Sequence, residues 1–242
     1  MKTTLMNMLI CTTLLASSPL MARELRVEIT NLTNATYFTP LLVAAHDPKT
    51  DLFEVGQPAS YNLQAMAEGG DISGLIDDVM AGGGEYAADP AGGLLAPGQS
   101  AKAGLDLHGF ATSRLSIVAM LLPTNDGFVG LDSLKIPRET GTYIYYLNGY
   151  DAGTEANDEI ITGGGAPGIP GIPTDPGGNA GTGGVSEVGP DFNPTVNIHR
   201  GIVGDMDLTG GTSDLDSRIH RWHNPVARIV LRVTRNDHPR GH

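Results

Sequence analysis

The chain has 242 residues, with 15 Lys and Arg against 27 Asp and Glu, for a formal net charge of −12. A chain this acidic is excluded as a nucleic-acid binder and as a protein held to anionic membranes by charge. With 33 Gly and 16 Pro it is turn-rich, which excludes a coiled coil or helical bundle and leaves room for one sizeable β or α/β domain.

Residues 1–22, MKTTLMNMLICTTLLASSPLMA, read as a secretory signal peptide. Lys2 supplies the basic start, Leu5 to Leu15 the apolar core, and Ala22 a small residue at the cleavage point. The apolar run is too short and too interrupted for a membrane span of about 20 residues. No other segment qualifies as one. Cys11 is the single cysteine and lies inside this segment, so the mature chain is expected to leave the cytoplasm without disulfides. Bound cations are then a natural brace for a loop-rich fold. Loss of Lys2 takes the mature net charge to −13.

Leu25 to Thr30 alternates apolar and polar residues and predicts a half-buried strand. Leu63, Met66 and Ala67 have helical spacing. Gly69-Gly70 then breaks the pattern, and Asp71 or Ser73 caps a second short turn through Leu75, Ile76 and Val79. Leu115 to Leu122 is a short continuous apolar run, read as a central strand buried on both faces. Thr142 to Tyr150 is β-rich, with Tyr143, Tyr145 and Leu147 on one face; Ala227 to Thr234 alternates as a closing strand. Residues 163–190 are low in complexity and read as a long flexible loop within one domain spanning 23–236, followed by a tail over 237–242. From Arg218 onward six Arg and four His meet one acid, Asp237, and the expectation is a solvent-facing basic strand.

Acids and amides gather in two loops beside the central strands. One holds Asn125, Asp126 and Asp132; the other holds Asn148, Asp151, Glu155, Asn157, Asp158 and Glu159. Hard cations such as calcium take six to eight oxygens from loops able to bend around them. No EF-hand spacing is present. Asp205, Asp207, Asp214 and Asp216 flank a Gly-Gly turn and read as a solvated acidic turn rather than a second loop of this kind. His199, His220 and His223 lack the convergent third ligand that a transition metal needs.

At these loops the sequence also resembles a known family. Pro123-Thr124-Asn125-Asp126-Gly127-Phe128-Val129-Gly130-Leu131-Asp132-Ser133-Leu134 is similar to the P-S-P-D-W-F-V-G-V-D-S-L signature of spondin-type domains. Tyr150-Asp151-Ala152-Gly153-Thr154-Glu155 resembles the family's Y-D-A-G-T-D, and Trp222-His223-Asn224-Pro225-Val226-Ala227-Arg228-Ile229 its closing W-x-N-P-x-A-R-V strand. Val27 to Thr33, His46-Asp47-Pro48 and Val55 to Ser60 resemble its first strand and loop. Gly127 stands where the animal proteins carry Trp, and their disulfides have no counterpart.

The resemblance implies an all-β antiparallel sandwich, similar to a C2 domain, with one or two short helices and the long Gly/Pro-rich loop. It implies a calcium ion at one end, held by Asp126 and Asp151, with Asp132 as a second-tier ligand and Asp106 a more remote one. Like charges on two neighbouring loops would repel unless a cation neutralised them. The implied function is a secreted or periplasmic, non-catalytic, calcium-binding adhesion module whose partner is an extracellular protein or a glycan. A scaffold for a matrix or surface layer is a third possibility. The competing class is a secreted hydrolase using paired carboxylates on a glycan. Against it, no G-x-S-x-G or H-E-x-x-H motif occurs, and aromatic residues for a sugar-stacking cleft are few.

Overall fold

The computed structural model describes residues 23–178, 180–186 and 193–235. The signal peptide read over 1–22, the tail over 237–242 and part of the Gly/Pro-rich stretch lie outside the described residues.

Ten strands and two α-helices follow in chain order. They are β1 (Arg23–Asn31), β2 (Tyr37–Phe38), β3 (Leu42–His46), α1 (Tyr61–Gly69), α2 (Ser73–Ala81), β4 (Glu85–Ala88), β5 (Ser100–Leu107), β6 (Arg114–Leu122), β7 (Gly127–Lys135), β8 (Gly141–Asp151), β9 (Asn197–Ile198) and β10 (Ala227–Arg235). The all-β expectation holds. Hydrogen-bonded neighbours run β4-β3-β6-β7-β8-β10-β1-β5, with β2 on β6 and β9 on β8. Every named pairing is antiparallel.

The two expected sheets share a strand. Residues 141–147 of β8 pair with β10, whereas 148–151 pair with β7. At the far ends, β4 and β5 lie against each other, so one sheet folds over and nearly closes into a flattened barrel. The strand changes partners near Gly149. A Cβ there would sit 2.6 Å from the Trp222 ring, so glycine lets the indole pack directly on the strand.

The alternation of residues along β3 and β6 explains two cores. Val43, Ala45, Ile117, Ala119 and Leu121 face inward with Leu25, Val27, Ile29, Leu147, Ile229 and Leu231. Leu42, Ala44, Val118 and Met120 face the other way, under Leu63, Met66, Leu75 and Val79 of the helices. That is why 115–122 is a continuous apolar run: β6 is covered on both sides. Ser60 caps α1, its Oγ accepting from Leu63 N–H at 3.1 Å, and Gly70 closes it in the left-handed region. Neither expected cap serves α2: its N-cap is Ile72, which has no side-chain cap bond, Ser73 is the first helical residue, and Asp71 Oδ1 instead accepts from Ser73 N–H at 2.9 Å in the turn before it.

Asn31 ends β1 and is fully buried. Its Nδ2 donates to the Thr36 carbonyl at 2.8 Å and to that of Leu95 at 3.0 Å, while Oδ1 accepts from Thr33. Asn31→Ala takes one donor from each carbonyl, which keep Thr33 Oγ1 and Phe38 N–H, and leaves Thr33 N–H without its acceptor; it is expected to cost about 2 kcal/mol in a urea titration, and a change below about 0.5 kcal/mol contradicts this reading.

Candidate metal centre

β7 begins, and β8 ends, at the same end of the barrel. Gly127 pairs with Asp151, and the Asp126 carbonyl accepts from Ala152 N–H at 3.2 Å. The pairing brings Asp126 and Asp151 to one end, near enough for the charge of Asp151 to act on the Asp126 carboxyl.

Asp126 has no exposed surface. Its Oδ2 accepts from Thr154 N–H at 2.7 Å, from the Thr154 hydroxyl at 3.1 Å and from Glu155 N–H at 3.0 Å. Its Oδ1 is buried without a hydrogen-bond partner. Burial, then the Asp151 charge, pushes the Asp126 carboxyl up to about 6. Asp151 Oδ1 accepts from Gly153 N–H at 2.8 Å and Oδ2 from Asn157 Nδ2 at 2.7 Å. Gly153 holds a φ of 72°, and a Cβ there would run into the Asn193 carbonyl. The turn that aims the 154 and 155 amides at Asp126 thus requires glycine.

Glu155 is the neighbour that the residue-by-residue reading placed in the loop without giving it a role. It is buried, and its Oε2 accepts from Gly171 N–H at 2.9 Å and from Asn125 Nδ2 at 3.4 Å. Its Oε1 is a second buried carboxylate oxygen without a hydrogen-bond partner. Burial first, and then the charges of Glu68 and Asp126, hold the Glu155 carboxyl up at about 7 against the opposing Gly171 and Asn125 hydrogen bonds. The signal for Glu155 was present in Y-D-A-G-T-E, where a Glu occupies the place of the family's last Asp. Gly171 and the buried Ile172 belong to the Gly/Pro-rich stretch, whose first part is therefore packed against this end.

The remaining candidates go elsewhere. Asp132 is six residues past Asp126 on β7, about 20 Å at the rise of an extended strand. It is exposed, and desolvation followed by the charges of Asp51 and Glu54 lifts its carboxyl to about 6. The structure brings it to neither Asp126 nor Asp151. Asp106 lies opposite Glu24 at the far end of β5 and β1, away from this centre. Asn125 is a strut: its Oδ1 accepts from Glu159 N–H and its Nδ2 donates to Asp158.

Asp205, Asp207, Asp214 and Asp216 are consumed by turns. Asp214, for example, accepts from the amides of Ile161, Thr182, Gly183 and Gly184. Asp216 pairs with Arg218 at 2.6 Å. His199 is buried against Trp222, and burial holds its pKa down at about 3, so it is neutral. His220 faces Asp175 at 3.2 Å, and His223 is exposed.

A cation site is tested by what its oxygens lack. Two buried carboxylate oxygens, Asp126 Oδ1 and Glu155 Oε1, have no donor, and Asp126 stands against a second carboxylate. A hard cation supplies what all three need: positive charge and an oxygen-seeking partner in a dry site. No three His, Cys, Asp or Glu side chains among the described residues form a ready cluster. The residues present are oxygen donors with no Cys or His among them, a chemistry that matches a hard cation rather than zinc.

A nearly closed antiparallel barrel thus carries buried and half-buried carboxylates on the loops of one end. The Spondin_N family model matches residues 30–160, more than half of the chain, and the chain belongs to that family, one of extracellular, non-catalytic domains. The matched region includes Asp126, Asp151 and Glu155. It stops short of β10, although β10 completes the sheet between β8 and β1. No curated protein matches the chain. Among the described residues no helix is long and apolar enough to cross a membrane.

Proposed function

We propose that the mature chain is a secreted binding module whose loop end is stabilised by one calcium ion. The partner it presents that end to is an extracellular protein or a glycan. The observation that carries this reading is the unpartnered, fully buried Oδ1 of Asp126 beside Asp151. Asp126 and Asp151 would hold the ion, with Glu155 adjoining. The ion would supply neutralising charge, fixing the β6–β7 turn to the loop after β8. It would do no chemistry on a substrate. Support for a role without catalysis comes from the same burial: a carboxylate with no exposed surface cannot meet a glycan, as the hydrolase reading requires. The leader-like 1–22 segment and the family support secretion.

Calorimetric titration of EDTA-stripped protein tests the reading. One calcium per chain is expected, with a Kd of about 1–100 µM, the range of loop sites built on few carboxylates. Asp126→Asn and Asp151→Asn should each weaken binding at least ~30-fold, a loss of about 2 kcal/mol. Absence of a calcium heat in the wild type, with no competition against a chromophoric chelator, sinks the proposal.

A further inference from the structure

Besides the two-residue β2 and β9, the folded sheet leaves four edges among the described residues, and three of the four are guarded. An open strand edge offers unpaired N–H and C=O groups to any other strand, and proteins blunt it with charge, bulges or shortness. β4 is four residues long and carries Glu85. β5 carries Lys102 and Asp106 and lies against β4. The half of β7 beyond Gly130, which β8 leaves unpaired, carries Asp132 and Lys135. It is distorted by a register shift against β6 and by Ser133 at a φ of 46°.

The fourth edge is β8 over residues 141–147. It pairs with β10 on one side, and on the other no strand among the described residues adjoins it, because the β7 pairing begins at Asn148. Its sequence, Gly-Thr-Tyr-Ile-Tyr-Tyr-Leu, has no charge and no proline, and its register with β10 is unbroken. Ile144 and Tyr146 are 58% and 60% exposed on its outer face. Seven residues of high β propensity, neutral and open, sit on a molecule of net charge −12.

We propose that this edge is a self-association surface, and that its occupant is the same edge of a second copy. Antiparallel pairing of one segment with itself is two-fold symmetric, so the contact closes as a dimer and does not propagate. Centred on Ile144, the pairing sets Ile144 against its copy, Thr142 against Tyr146 and Tyr143 against Tyr145. These aromatic and β-branched cross-strand pairs favour a sheet, and no charged side chain of the segment is opposed. Self-pairing opposes no like charges within the segment, as a contact between two chains of net charge −12 requires, and Arg228 and Arg232 of β10, opposite Tyr146 and Thr142, offset that charge beside the strip. The joined sheet would continue from β10 of one copy through both β8 strands to the other β10. This surface is separate from the loop end and does not depend on its cation.

Sedimentation velocity of the mature chain in EDTA tests the pairing. A strand edge is a small interface, so a monomer–dimer equilibrium with a Kd of about 10–100 µM is expected between roughly 5 and 500 µM protein. Ile144→Lys opposes two like charges at the symmetry axis and should weaken the dimer at least ~30-fold. Its thermal midpoint should stay within about 2 °C of wild type, because the site is exposed. Mixing Ile144→Lys with Ile144→Asp should restore a dimer, which a merely misfolded variant could not do. A wild type that stays monomeric at about 500 µM overturns the proposal. So does an Ile144→Lys variant that dimerises as the wild type does.

Discussion

Stripping calcium with EDTA at pH 7.5 is expected to lower the thermal midpoint of the mature chain by about 5–11 °C relative to 1 mM calcium. A ligand at about 100 times its Kd stabilises the folded state by about 2.7 kcal/mol, and a domain of this size moves about 2–4 °C per kcal/mol. The physical source is local. Without a cation, Asp126 sits fully buried beside Asp151 with one oxygen unpartnered. With one, that oxygen is coordinated and the repulsion is cancelled. Asp126→Asn removes the same repulsion covalently. Its remaining oxygen can still accept from Thr154 and Glu155, as Oδ2 does now. The variant should therefore melt in EDTA at or above the wild-type temperature and gain at most about 3 °C from calcium, the residue of binding weakened ~30-fold. Asp132→Asn, at the remote half of β7, should leave the calcium increment intact. An increment equal in wild type and Asp126→Asn places the ion elsewhere; equal midpoints of the wild type with and without calcium mean that this end takes none.

In EDTA the buried carboxyls are expected to withdraw stability as pH rises from about 4.5 to 7.5, against buried His199 and His46, whose lowered pKa values add stability over the same window; the carboxyl part is read as the difference between the wild type and Asp126→Asn, and calcium should abolish it. Asp126 is raised from 3.8 to about 6 and Glu155 from 4.5 to about 7, burial being the first cause for each. The folded chain therefore keeps protons that the unfolded chain releases in this window. Stability present below the unfolded values is lost as pH climbs through the folded ones. Shifting the Asp126 carboxyl by that amount weakens the folded state by about 3 kcal/mol at neutral pH, or about 6–12 °C in midpoint, and Glu155 adds a smaller, more screened share. The two groups share a site and do not simply add.

Calcium competes with those protons, so its increment should be small near pH 5 and largest above pH 7. Below the window the sign turns. Asp205, held down by the Asp207 amide and its other backbone donors, and Asp216, held at about 2 by Arg218, lose their partners' benefit as they protonate. A gap between Asp126→Asn and wild-type midpoints in EDTA that fails to widen from pH 4.5 to 7.5 would show that the Asp126 carboxyl does not govern stability here.

Much of the fold was legible in the residues. Alternation marked β1 and β10, whose partners prove to be each other in full register from Arg23–Arg235 to Asn31–Ala227. The unbroken apolar run of β6 announced two covered faces, and the structure supplies one cover from the opposite sheet and one from α1 and α2. Family-like blocks around Asp126 and Asp151 located the acidic end. Which other acid joins them was not legible from the spacing of the β7 block. Asp132 shares a motif with Asp126, but an extended strand carries it to the other half of the molecule, whereas the turn at Gly153 folds Glu155 back.

By itself, then, the sequence determined local states: the alternating and unbroken apolar runs that are strands, the two short helical segments, and the loops that carry the carboxylates. Those follow from periodicity and from side chains acting on their own backbone. Only the tertiary structure decided which carboxylate oxygens are dry and unpartnered, that β8 serves both sheets, and that 141–147 is left open. Each of these depends on residues far apart in the chain, and desolvation and strand pairing arise only when the packed neighbours are in place.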